Sequence, residues 1–181
     1  MVGTGLGAAK GILIKNAESL ERAHKIQTVI LDKTGTITEG KPSVTDVVQL
    51  NDCDETTLLQ RTASVEKRSE HPLAQAVVEY VQRKDISLVD IETFQSHTGL
   101  GVTGVVDGDA VAIGNLAMMK EYAVQTVEAE TVAARMSAEG KTSIFIAING
   151  VLSGVIGLAD RIKPSSKDAI VLMKEMGMNV V

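Results

Sequence analysis

Thr28-Val29-Ile30-Leu31-Asp32-Lys33-Thr34-Gly35-Thr36-Ile37-Thr38 is the stretch on which the reading of this chain turns. Three apolar residues, Val29 to Leu31, two of them β-branched, predict a short strand buried on both faces. A carboxylate follows at once, and then a glycine and hydroxyl residues suited to a tight loop that grips phosphate. In open α/β sheets ligands sit beyond the carboxyl ends of the strands, which is where Asp32 falls. A carboxylate can attack a phosphoryl group and form an aspartyl phosphate. The residues alone leave a second reading open, in which Asp32 only caps the following turn.

Composition narrows the class. A length of 181 residues allows one or two domains and a real core. Aromatic content is 2% with no Trp, so the core must be built from Val, Ile, Leu, Ala and Met. A net charge of -5 argues against a nucleic-acid partner, which would call for a basic stripe. The single Cys53 cannot form an internal disulfide, and no Cys-x-x-Cys or His-rich tract points to a metal site. No apolar run approaches the ~18 residues of a membrane span, and no leader segment is visible, so a soluble, intracellular piece is expected.

The string Asp32-Lys33-Thr34-Gly35-Thr36 resembles the phosphorylation signature of the P-type ATPases, a branch of the haloacid-dehalogenase-like superfamily. The resemblance implies that Asp32 is phosphorylated by ATP, with Lys33 and Thr34 beside it in the catalytic loop and Mg2+ held at Asp32 and Thr34. Phosphatases of the wider superfamily carry a second Asp where this chain has Thr34, and a threonine cannot exchange a proton as a carboxylate does. A phospho-enzyme that persists is therefore implied, which suits a pump better than a phosphatase.

The segment 1–24 is glycine-rich and then helical in pattern, with Leu6, Ala9, Ile12, Leu13 and Leu20 among Lys and Glu. It is similar to the stretch that leaves the last membrane helix before the phosphorylation site in heavy-metal P-type ATPases. Gly11-Ile12-Leu13-Ile14-Lys15-Asn16 looks most like the copper(I) branch, which would make Met1 a cut point rather than a natural start. Gly3-x-Gly5-x-x-Ala8 has no strand before it and is rejected as a dinucleotide fingerprint.

After Thr38 the cluster Glu39-Gly40-Lys41-Pro42 predicts a turn and an exit into a second domain. Val44 to Leu50 predicts a strand; helices follow at about 56–67 and, with Pro72 in its first turn, at about 72–83. Between the helices, Glu66 and His71 either form an ordinary helix entry or meet an adenine ring, the imidazole stacking and the carboxylate accepting from the exocyclic amine. Ser69-Glu70-His71-Pro72-Leu73, with Glu66 five residues before the histidine, resembles the nucleotide-domain motif of heavy-metal P-type ATPases. The resemblance favours the second role.

Gly99-x-Gly101-x-x-Gly104 runs into a strand rather than a helix, so a Rossmann site is rejected. Strands at 102–106 and 110–113 flank the Asp107-Gly108 hairpin turn, and strands at 143–148 and 151–158 flank Asn149-Gly150. Between the hairpins, residues 116–139 read as one helix, and Gly140-Lys141-Thr142-Ser143 lacks the upstream glycine of a P-loop. The family resemblance implies nucleotide contacts at Gly99, Gly101, Gly114 and Asn115. Asp160 and Lys163 are either a surface pair before a helix or, as Leu158 to Pro164 resembles the returning hinge of P-type ATPases, hinge residues together with Pro164. A helix at 165–176 is closed by Gly177, and Met178 to Val181 opens a strand that would lead to a Thr-Gly-Asp loop and a Gly-Asp-Gly motif not reached here.

The expected architecture is α/β: a Rossmann-like, haloacid-dehalogenase-like phosphorylation half-domain at 25–42 and 155–181. Into it an α+β nucleotide-binding domain, 43–154, is inserted on an antiparallel sheet. The expected protein is the cytoplasmic ATP-binding and phosphorylation region of an integral membrane pump that exports copper(I). Zinc or cadmium is the alternative cargo, and a non-catalytic nucleotide-binding module is the alternative for the piece alone. ATP and Mg2+ are the expected ligands. The actuator domain and membrane helices of the same pump, and a metal-donor protein, are the expected partners. The piece by itself is not expected to turn over.

Overall fold

A computed structural model describes residues 2–181, apart from the side chains of Val2, Thr4, Ala17 and Leu20. The described chain forms two compact units, one of residues up to Thr38 with Ile162–Val181, the other Glu39–Arg161.

The larger unit is a six-stranded sheet with helices on both faces. Its strands are β2 (Thr38–Gln49), β3 (Ile91–His97), β4 (Gly101–Val106), β5 (Asp109–Gly114), β6 (Thr142–Ile148) and β7 (Val151–Ile162), in the order β2-β7-β6-β5-β4-β3. The pairings β3–β4, β4–β5, β5–β6 and β6–β7 are antiparallel. Alternation along β5 and β6 assigns the faces. Val111, Ile113, Ile144 and Ile146 point to the helices α3 (Glu55–Glu66) and α4 (Pro72–Arg83), where Leu58, Leu59, Val65 and Val77 are fully buried. Ala112, Phe145 and Ala147 point the other way, to α5 (Leu116–Glu121) and α6 (Val127–Ala138), where Met118, Met119 and Met136 close a second core. The two aliphatic cores make up for the scarcity of aromatic side chains.

Both expected hairpins form on left-handed pairs, Asp107 and Gly108 at φ 49° and 79°, Asn149 and Gly150 at φ 52° and 78°. Three local expectations are corrected. Glu39 to Pro42 is not a turn but lies within β2, where Asp160 accepts from the Gly40 and Lys41 amides at 3.2 and 3.1 Å. The single helix expected at 116–139 is two, broken where Ala123 takes a left-handed φ of 54° and where Val124 and Thr126 are buried. No Gly or Pro marks this break; docking of the connector imposes it. Strand β3 was not expected at all. Five of its seven residues are exposed, because it is the edge strand, and they carry no hydrophobic alternation.

The smaller unit pairs β1 (Thr28–Val29) in parallel with β8 (Asn179–Val180) and carries α7 (Pro164–Glu175). The strand was expected to be buried on both faces, yet Ile30 is 80% exposed. A pair of two-residue strands offers too little surface to cover an apolar run on both sides. The lead-in at 1–24 is likewise not one helix but α1 (Val2–Ala9) and α2 (Ala17–Ala23), separated at Gly11 with φ 77° and restarted by Asn16, whose side chain accepts from the Ser19 amide at 2.8 Å.

Candidate functional site

In the smaller unit the chain leaves β1, Leu31 donates to the Val181 carbonyl at 2.9 Å, and Asp32 follows in extended backbone. Residues Lys33 to Ile37 form a closed loop, with Gly35 at φ 78°, a geometry that favours glycine. Thr38 ties the loop shut. Its amide and its hydroxyl both donate to the Lys33 carbonyl, the hydroxyl at 3.0 Å, and the same hydroxyl accepts from the Gly35 amide at 3.2 Å. From the other side of the sequence Lys163 donates twice, its amide to the Ile37 carbonyl at 2.9 Å and its ammonium to the Gly35 carbonyl at 2.6 Å. Ser166 adds a bond from its hydroxyl to the Ile37 carbonyl at 2.8 Å. Asp32, Lys33 and Thr34 all stand exposed on this braced loop.

Of the three residues grouped as a hinge, Asp160 binds amides within the larger unit, whereas Lys163 holds the Asp32 loop and Pro164 opens α7. Sequence reasoning missed the attachment of Lys163 and Ser166 to this loop. Nothing in 127 intervening residues signals it.

In the larger unit a cavity of about 380 Å³ opens between the end of α3, the start of α4 and the ends of β3 to β6. That size is within the range of small-molecule sites. Glu66, His71, Gly99, Gly101, Gly114 and Asn115 all line it. Ser69, Ser96, Thr98, Thr142 and Ser143 add hydroxyls to the wall, and the lining contains no Lys or Arg. Thr142 and Ser143 carry no local signal of a site in the sequence; β6 brings them in as the neighbour of β5.

Each of the six plays a distinct local part. Glu66, the last residue of α3, is 7% exposed, and burial pushes its carboxyl up to about 7. His71 caps α4, its Nδ1 accepting from the Leu73 amide at 3.2 Å, which leaves Nε2 as the donor of the neutral ring. Asn115 caps α5 through Oδ1, accepting from Met118 at 3.0 Å, while Nδ2 donates to the Gly99 carbonyl at 2.8 Å. Gly101 and Gly114 face each other across β4 and β5. A Cβ on Gly101 would lie 2.0 Å from the Ile113 carbonyl oxygen and one on Gly114 2.5 Å from the Met118 sulfur, so these two glycines let the strand ends and α5 close up. Gly99, at φ 74°, lines the cavity with open space where a Cβ would stand.

A family model for haloacid dehalogenase-like hydrolases matches residues 26–181. The chain belongs to that family. Within the haloacid dehalogenase-like hydrolases it is 44% identical over its full length to a silver exporting P-type ATPase of Salmonella typhimurium, and 41% identical to a copper-transporting P-type ATPase of Rhizobium leguminosarum. It spans 22% of the length of each. Among solved structures a zinc-transporting PIB-type ATPase in its E2.Pi state matches with a TM-score of 0.89 at 29% identity, over 99% of this chain and 29% of that one. The haloacid dehalogenase-like chain described here contains no helix, among the described residues, long and apolar enough to cross a membrane.

Proposed function

We propose that this chain is the ATP-binding and phosphorylation region of a heavy-metal P-type ATPase, with copper(I) as the exported ion and the described units on the cytoplasmic side. The observation that carries the reading is the convergence of six residues, from three separate stretches of sequence, on one cavity. Glu66, half protonated near neutral pH, can accept from the exocyclic amine of adenine and donate to the ring nitrogen beside it. His71 Nε2 supplies a further polar contact, and Gly99 lets the base approach its backbone closely. Because no cationic side chain lines the cavity, it suits the base and ribose, and the phosphates extend outward.

Asp32 then attacks the γ-phosphorus of ATP; its carboxylate forms the new P–O bond and the bond to the ADP oxygen breaks. Magnesium, held by the hard oxygens of Asp32 and Thr34, would neutralise charge between the carboxylate and the phosphates. Thr34 offers no carboxylate for hydrolysing the product, so the phospho-enzyme lasts. The actuator domain, the membrane helices and a metal-donor protein are the partners of the whole pump. Silver, copper and zinc relatives leave zinc or cadmium as the alternative cargo.

An ATP titration followed by backbone amide NMR tests the reading. Shifts clustered at Glu66, His71, Gly99 to Gly101 and Gly114 to Asn115, and lost in His71→Ala, are expected. Shifts confined to Asp32 to Thr36 would overturn the cavity assignment. A non-catalytic nucleotide-binding module is the second reading, favoured by the completeness of the larger unit's two cores. A hydroxylamine-labile phosphate on Asp32 after exposure to ATP or acetyl phosphate decides against it.

A further inference from the structure

Lys163 joins a charged side chain to the backbone of the Asp32 loop. Its ammonium sits 2.6 Å from the Gly35 carbonyl, and its own amide and the Ser166 hydroxyl hold the Ile37 carbonyl at 2.9 and 2.8 Å. The peptide unit is planar, so fixing the Gly35 carbonyl also fixes the direction of the Thr36 N–H on the opposite side of the same plane. Gly35 is the residue whose peptide is freest to flip, since glycine at φ 78° has no Cβ to resist rotation. Polarising that carbonyl with a cation strengthens the Thr36 N–H as a donor to an anion.

We propose that Lys163 is a positioning residue for phosphoryl binding at Asp32: it locks the Gly35–Thr36 peptide so that the Thr36 N–H is a standing donor to a phosphoryl group on the aspartate. This goes beyond a linking role between units and rests on the reading of Asp32 as a phosphoryl acceptor. The lysine does not touch the reacting atoms. It acts through the loop.

The test uses the full chain with beryllium fluoride and magnesium, which form a phosphoryl mimic on an aspartate oxygen, read by 19F NMR and by backbone amide shifts. The wild type should give a bound fluoride signal that Asp32→Asn abolishes. Lys163→Met keeps the aliphatic stem and removes the donor; it should weaken the complex about tenfold or more, the scale of a charged hydrogen bond, and move the Gly35 to Thr38 amides. Lys163→Arg, which keeps the cation, should restore most of the binding. ATP shifts in the larger unit should be the same in all three, and Ser166→Ala, which retains the ammonium, should bind more tightly than Lys163→Met. Equal binding by wild type and Lys163→Met would overturn the proposal, as would a loss in Lys163→Met with no rescue by arginine. Absence of any wild-type signal at Asp32 would remove the aspartyl reading and the proposal with it, an outcome distinct from the other two.

Discussion

The two units meet their folding requirements by opposite means. In the larger, apolar side chains from both faces of a six-stranded sheet disappear under helices, and Leu58, Met118, Ile146 and Ile156 are fully buried. In the smaller, only Thr38 is buried among the described residues, while Ile30, Val171, Leu172 and Met176 are exposed. There, geometry is specified by hydrogen bonds: Thr38 to Lys33, Lys163 to Gly35, Ser166 to Ile37. A unit held by core packing should be hard to deform and costly to truncate. One held by a few polar bonds should be cheap to perturb globally and sensitive locally, a difference in stability within one chain.

The largest expected effect tests that contrast directly. Leu58→Ala should cost about 2–5 kcal/mol in denaturant unfolding of the larger unit, whereas Val171→Ala in α7, 47% exposed, should cost well under about 1 kcal/mol. Comparable losses would mean that the smaller unit has a core of its own. Gly101→Ala should rank with the core truncation, because the Ile113 carbonyl lies 2.0 Å from the new Cβ and cannot yield without breaking the β4–β5 pairing. Gly99→Ala meets no atom and should cost only about 1 kcal/mol, from its left-handed φ. Circular dichroism melts of the pair compare the two directly.

A third prediction concerns pH. The Glu66 carboxyl is raised by burial from an ordinary 4.5 to about 7, so the folded state holds a proton that the unfolded state has lost between those values. Stability of the larger unit should therefore be full below pH ~4.5 as far as this group is concerned and fall as pH rises through about 7, by up to about 3 kcal/mol. Glu66→Gln should flatten that slope and be the more stable protein at pH 8. A wild-type stability that rises between pH 5 and 8 relative to Glu66→Gln would refute the burial argument. The smallest effect is expected at Arg22, whose i,i+4 pair with Glu18 is exposed at both ends. Arg22→Ala should leave both transitions unmoved.

The α/β class, the two hairpins and the antiparallel sheet were legible because each has a local cause: an Asp-Gly or Asn-Gly pair between β-branched runs, Pro72 at the start of a helix. Strand β3 was not legible, since Glu92, Thr93, Gln95 and Ser96 face solvent at the sheet edge and carry no hydrophobic period. The split between α5 and α6 was hidden for the complementary reason: the burial of Val124 that imposes it comes from partners distant in sequence. At the cavity, Glu66, His71 and the glycines were marked by the family resemblance, which did not say what each does. Asn115 spends both ends of its amide on bracing, to Met118 and to Gly99. Of the glycines, Gly101 and Gly114 serve packing, and Gly99 alone faces open space.

What the sequence determined by itself is chemistry that depends on neighbours in the chain. It places a carboxylate after an apolar run, a glycine able to take the left-handed turn at position 35, and a threonine two residues after the carboxylate. Tertiary structure decided what depends on distance in space. The rise of the Glu66 carboxyl to about 7 needs burial by distant residues, and the Lys163 ammonium reaches Gly35 across 128 positions. Dihedral preference and local patterning act over a few residues, while desolvation and long-range hydrogen bonds exist only once the chain has folded back on itself.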